Sequence, residues 1–180
     1  RVMEKNIPLV EEIQKAVFKI ERIIKSTLMF SKGISANKER FLWSELLSSL
    51  KLSIGYYGYT KEIKFVFFEQ EVEINGDRDL LEMLFLNLLI NAIDAIELDD
   101  NENGEVEVAY ERRGSSHFFR VYDSGVSVED EDKLFEAFSS TKVKGNGLGL
   151  VLCSQIAKAH GGGVAYANEQ KKYFEIELIV

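Results

Sequence analysis

Three polar side chains, Asn87, Asn91 and Asp94, interrupt an otherwise apolar run over residues 83–96. Spacings of four and three place all of them on one face of a helix. An amide oxygen is a hard, neutral ligand, and Mg²⁺ is commonly held by few protein oxygens together with substrate phosphates. Buried asparagines satisfied by backbone would give the same pattern, so the helix alone leaves both readings open. Downstream, "VYDSGVSV" puts Asp123 at the end of a strand pattern. A carboxylate there can accept a hydrogen bond from an exocyclic amine, and Gly125 leaves room for a flat ring; Asp-Ser-Gly is also common turn chemistry. The third element is "TKVKGNGLGL", with Gly145, Gly147 and Gly149 alternating behind Lys142 and Lys144. Successive exposed amides, and the positive end of a helix starting near Gly147, would cradle an anion. The spacing fits neither the P-loop nor the dinucleotide fingerprint. Just before it, Phe135 and Phe138 stand three apart as anchors for a flap.

These residues need a frame. Apolar residues at Ile13, Ala16, Val17, Ile20, Ile23, Ile24, Thr27 and Phe30 predict a long bundle-type helix over 8–31, capped by Asn6 and entered through Pro8. No other segment offers a matching long stripe. The helix therefore reads either as packed on its own domain or as half of a helical hairpin that pairs with another subunit, and we favour the latter. Gly33 closes it. Next come a helix over 43–54, strands over 63–68 and 72–74, and the long helix over 77–98. A hairpin "EVEVAY…HFFRVY", a short helix near 130–135, a helix over 147–159 and two final strands complete the pattern. Helices interleaved with mixed strands predict an α/β (α+β) two-layer sandwich preceded by one long bundle helix. The expected units are 1–34 and 35–180.

Composition narrows the function. The chain has 180 residues, 46% hydrophobic and 29% charged, and a net charge of −8 that argues against a nucleic-acid groove. No apolar run reaches about 18 residues, so membrane insertion by this chain is not expected. The single cysteine, Cys153, lies in an apolar helical stretch and fits a reducing, cytoplasmic setting. The chain starts Arg-Val-Met, which reads as a piece of something longer.

Taken in order, the asparagine helix, Asp-x-Gly, Phe-x-x-Phe and Gly-x-Gly-x-Gly resemble the ATP-binding domain of sensor histidine kinases. That domain is part of the GHKL superfamily, with gyrase, heat-shock chaperone and mismatch-repair ATPases. "NLLINAIDA" is similar to the family's N box, "DSG" to its G1 box, "LFEAFSSTK" to its F box and "GNGLGL" to its G2 box. Upstream, "IQKAVFKIERIIKSTLMFSKG" resembles the second helix of the dimerisation and phosphotransfer bundle. The resemblance implies ATP and Mg²⁺ as ligands. Asn91 would ligate the metal, and Asn87 would hold the phosphate end where hydrolysing relatives carry a glutamate. Asp94 would complete the polar face. Asp123 would read the adenine amine, with Gly125 along the ring. Ser140, Thr141, Lys142, Gly145 and Asn146 would form the lid, and Gly147, Leu148 and Gly149 would lie against the phosphates. The implied reaction moves the γ-phosphoryl group to a histidine on an upstream helix and then to a response-regulator receiver domain. The implied assembly is a homodimer through the first helix, and membrane anchoring of the parent stays open.

The sequence departs from the family in places. Ser127 stands where the G1 box has a second glycine, and Tyr173 where a hydroxyl residue often precedes the last-strand phenylalanine. The lid has Ala137 to Thr141 in place of Pro-Phe and two threonines. Neither histidine lies on a bundle helix: His117 is expected to face solvent from a strand, and His160 to cap or pack. A nucleotide-binding module without phosphotransfer is the alternative reading.

Overall fold

The computed structural model describes residues 2–128, 130–137, 147–168 and 170–179. Helix α1 (Val2–Lys32) leads into β1 (Glu39–Leu42), α2 (Trp43–Tyr57), β2 (Glu62–Phe67), β3 (Glu73–Gly76) and α3 (Arg78–Leu98). There follow β4 (Asn103–Arg113), β5 (Ser116–Asp123), a 3₁₀ turn at Glu131–Lys133, α4 (Gly149–Ala159), β6 (Gly163–Asn168) and β7 (Lys172–Ile179). Five strands form one sheet in the order β2-β4-β5-β7-β6. The β2–β4 pair is parallel and the others are antiparallel. β1 and β3 form a separate antiparallel pair. This is the mixed α/β sandwich that the element pattern predicts.

Alternation along the strands decides which face meets the helices. Val106, Val108, Phe119, Val121, Phe174, Ile176 and Leu178 point into a core shared with α2, α3 and α4. The other face carries charge, where Arg120 meets Glu175 at 2.7 Å across the β5–β7 ladder. Trp43 starts α2 and fills the centre of the core, stacking on Phe68 at 4.7 Å and meeting Phe85 edge-on at 5.3 Å.

Several local expectations change. α1 begins at Val2, so Asn6 is inside the helix and is not its cap. Helix-forming residues on both sides carry the helix through Pro8, which has no amide to bond the carbonyl four residues back. Gly33 does end α1, with φ at 77°. β1 was not expected, because "ERFL" shows one buried residue, Phe41, in four. The β4–β5 turn is only Gly114-Ser115, with Arg113 paired to Ser116. His117 is buried rather than solvent-facing. Two adjacent phenylalanines hide the parity of β5, and with Arg120 outward His117 must share the inner face with Phe119.

Both histidines are built into the fold. The His160 Nε2 accepts the Asp77 amide at 2.9 Å, so its Nδ1 carries the proton and donates to the Ile156 carbonyl at 2.8 Å. His117 Nδ1 pairs with the Tyr110 hydroxyl at 2.9 Å. Burial pushes both imidazoles below their ordinary range. The unfolded chain therefore binds more protons below about pH 6.5, and the stability present above that pH is lost on acidification. Melting temperature should fall as pH drops from 7 towards 5.5. The fall should be shallower in His117→Phe, which stacks in place without titrating. Equal slopes in the two proteins would remove His117 from the cause.

Candidate functional site

α3 is buried on nearly every side, and its start is fixed by Asp77, whose side chain accepts the Leu80 amide at 3.1 Å. A wholly apolar helix would suit that position, so its polar residues are the informative ones. Asn87 is buried, and its Oδ1 accepts Arg22 Nη2 from α1 at 2.9 Å. Its Nδ2 has no hydrogen-bond partner among the described residues. Asn91 is partly buried one turn on. Asp94 accepts the Tyr57 hydroxyl at 2.5 Å, and burial plus that bond push the Tyr57 phenol upward. Lys19 and Arg22 lie over the Tyr57 ring at 5.3 and 5.9 Å. Burial lowers the Arg22 guanidinium, opposed by Tyr57 and Asp94. The three polar residues thus share one face, as the spacing predicts. α1 and the end of α2 close over parts of it, which the sequence did not foretell.

The second group gathers where β5 ends. Asp123 Oδ1 accepts the Gly125 amide at 3.0 Å and meets Lys172 Nζ at 2.6 Å, with both charged side chains only 7% exposed. Lys172 also donates to the Val126 carbonyl. The Val126 amide in turn donates to the Ala95 carbonyl on α3 at 3.1 Å. Gly125 is pressed onto that helix so closely that a Cβ would lie 2.2 Å from the Ala95 carbonyl carbon. What this glycine accommodates here is the α3 backbone, where the sequence suggested an approaching ring. Asp123, Gly125, Ser127 and Lys172 share the wall of a cavity of about 280 Å³. Sequence reasoning missed Lys172. The register pairs Tyr122 with Tyr173, so the next inward pair is Asp123 and Lys172. Tyr173 lies on the outer face, its ring 5.0 Å from Tyr122, and is not the residue beside Asp123.

Of the glycine loop, Ser140, Thr141, Lys142, Gly145 and Asn146 fall outside the described residues, as does Phe138. Gly147 has φ at 64°, a left-handed turn, and α4 therefore starts at Gly149 and not at Gly147. Leu148 is buried at the cap position. A Cβ on Gly149 would stand 3.7 Å from Asn87 Oδ1, so the first turn of α4 abuts the asparagine. Cys153 packs behind it, and burial pushes its thiol up to about 12, consistent with an inert core residue. Among the described residues no group of three or more His, Cys, Asp or Glu could hold a metal ion.

Residues 76–180 match the family model of histidine kinase-, DNA gyrase B-, and HSP90-like ATPases. The sensor histidine kinase FlgS of Helicobacter pylori is 45% identical over 177 residues, which are 98% of this chain and 46% of FlgS. The signal transduction histidine-protein kinase AtoS of Escherichia coli is 27% identical over 87% of this chain and 26% of AtoS. The chain thus spans less than half the length of these curated relatives. The catalytic domain of histidine kinase ThkA superposes with a TM-score of 0.66 at 26% identity, covering 79% of this chain and 95% of that domain. The ThkA complex with the response regulator TrrA gives 0.72 at 24% identity over 96% of this chain and 51% of that one, a likeness of fold.

Two substitutions probe this architecture. Gly125→Ala should lower stability by about 2 kcal/mol or more, because helix backbone cannot yield to the new methyl. Arg22→Ala leaves the Asn87 oxygen buried without its donor and should cost about 1–2 kcal/mol. Denaturant titration measures both, and an unchanged midpoint in either variant refutes the corresponding contact.

Proposed function

We propose that this chain, which belongs to the family of histidine kinase-, DNA gyrase B-, and HSP90-like ATPases, is the ATP-binding catalytic part of a sensor histidine kinase. One observation carries the proposal. A single helix links an anion-suited end, where Gly149 abuts Asn87, to a base-suited end, where the Asp123–Val126 loop docks on Ala95. Asn87 and Ala95 are separated by roughly 12 Å along α3 at about 1.5 Å per residue, a span suited to an extended nucleoside triphosphate.

In this reading Asp123 accepts the adenine amine, and the α4 N-terminus with Gly147, Leu148 and Gly149 faces the phosphates. The donor set fits a metal that arrives with the triphosphate: Asn91 supplies a neutral oxygen, and the described residues hold no acidic cage. Mg²⁺, when bound, neutralises charge on the phosphates. Asn87 positions the phosphate end, and its amide cannot take a proton from water, which favours transfer over hydrolysis. Lys142 and the remaining lid residues add positive charge and amides. His117 and His160 are buried and engaged, so the acceptor is a histidine on a helix outside these residues. The phosphoryl group then passes to an aspartate on a receiver domain.

Residues 1–34 form one helix of a dimerisation hairpin, and 35–180 the catalytic unit. Leu9, Val10, Ile13, Val17, Ile20 and Ile24 along α1 are each about half exposed, and a second copy would cover them. No helix among the described residues is long and apolar enough to cross a membrane. The reading sets the work of this part in the cytoplasm, a reducing setting that suits the unpaired Cys153.

MgATP at a hundredfold its Kd should stabilise the chain by about 2.7 kcal/mol, and Asn91→Asp or Asp123→Ala should abolish the shift. No shift at millimolar MgATP would refute the site. Given γ-labelled ATP, the chain should leave itself unlabelled and label a supplied bundle domain that carries the acceptor histidine. Binding without any labelling of that domain would instead identify a nucleotide-binding module without transfer.

A further inference from the structure

Lys172 is a cation placed beside the carboxylate proposed to read the base. It stands opposite Asp123 on the inward face of adjacent strands, with Nζ 2.6 Å from Asp123 Oδ1. A buried ion pair costs desolvation, and well-packed apolar residues often serve stability as well or better. The other inward residues of β7, Phe174, Ile176 and Leu178, are all apolar, so the cation on this face answers to Asp123 and the Val126 carbonyl and not to the core. Both side chains also line a cavity at the edge of the sheet, together with outward-facing Glu107 and Tyr122, so the pair is not sealed in the core.

The chemistry of the pair suggests its use. A carboxylate and an ammonium side by side present an acceptor next to a donor, as a carboxamide does. Carboxamides read adenine because its edges set the donating 6-amino group beside an accepting ring nitrogen. On the Watson–Crick edge that nitrogen is N1. We infer that Lys172 is a specificity-determining residue of the nucleotide site, donating to adenine N1 while Asp123 accepts from the 6-amino group. The inference rests on the proposed assignment of Asp123 to the base. Lys172 keeps its bond to the Val126 carbonyl in this role, so the loop docked on Ala95 stays in place as the base enters.

Two ATP analogues separate the claims: one with N1 replaced by C–H, and one lacking the 6-amino group. Competition binding against the intact chain in Mg²⁺ should show each analogue weaker than ATP by about tenfold, the worth of one good hydrogen bond. In Lys172→Met the N1 analogue and ATP should bind equally, while the loss from removing the 6-amino group persists. If Lys172→Met does not fold, the ¹⁵N resonance of N1 in labelled ATP should shift on binding the unaltered chain, as a hydrogen bond to N1 requires, and an unmoved resonance overturns the inference. An N1 analogue as tight as ATP on the unaltered chain overturns it as well, as does a tenfold ratio that survives in Lys172→Met and so marks Lys172 as structural only. A 6-desamino analogue as tight as ATP instead overturns the assignment of Asp123 to the base.

Discussion

The near-complete burial of α3 is the constraint on which the rest of the structure depends. A helix packed on most of its circumference must satisfy or employ each polar side chain it carries, since an unpaired buried amide costs about 1–3 kcal/mol. Its position is fixed at the first turn by Asp77, which accepts the Leu80 and Asn37 amides and donates its own to His160 at the end of α4. That set of bonds ties α3 to α4 and to the chain before β1. The axial position of Asn87 against Gly149 is thus set by capping chemistry several turns from it.

The other end of α3 is fixed by backbone contact. Gly125 lies against Ala95 and Ile96 with no space for a side chain, and Val126 bonds to the Ala95 carbonyl. Asp123 is thereby held at one distance from the helix, and Lys172 closes the corner from the neighbouring strand. Both ends are rigid by construction, one through hydrogen bonds and one through steric contact. A site spanning them would need little reorganisation to meet a ligand, which is how preformed sites reduce the cost of binding.

Much of this was legible in the sequence because it follows from short-range periodicity. The common face of Asn87, Asn91 and Asp94 is fixed by helical spacing, and the stop at Gly33 by left-handed backbone. The order of strands and helices that gives the sandwich follows from alternation and turn residues. What was not legible depends on parity and register. The two adjacent phenylalanines of β5 concealed that His117 faces inward. Lys172 precedes the final strand pattern and carries no periodic signal of its own; only the β5–β7 register sets it opposite Asp123. Nothing in the helical spacing of the first segment distinguishes Arg22 from its other polar residues. Only the tertiary arrangement of α1 against α3 brings it to Asn87.

That helix divides its surface between two tasks. Phe18, Arg22, Ser26 and Met29 recur every three or four residues and make the face turned to the rest of the chain, with Ser26 buried and Phe18 and Met29 packed against the core. Ile13, Val17, Ile20, Ile24 and Leu28 recur with the same period but fall on a roughly opposite face, each about half exposed. An exposed apolar row of this length is a feature of surfaces that meet another protein. A second helix laid along it would touch neither Arg22 nor Asn87. The apolar row can therefore be covered without disturbing the guanidinium on the asparagine, and contact at Asn87 can change while the row stays covered. The two surfaces are coupled only through the rigidity of α1 itself.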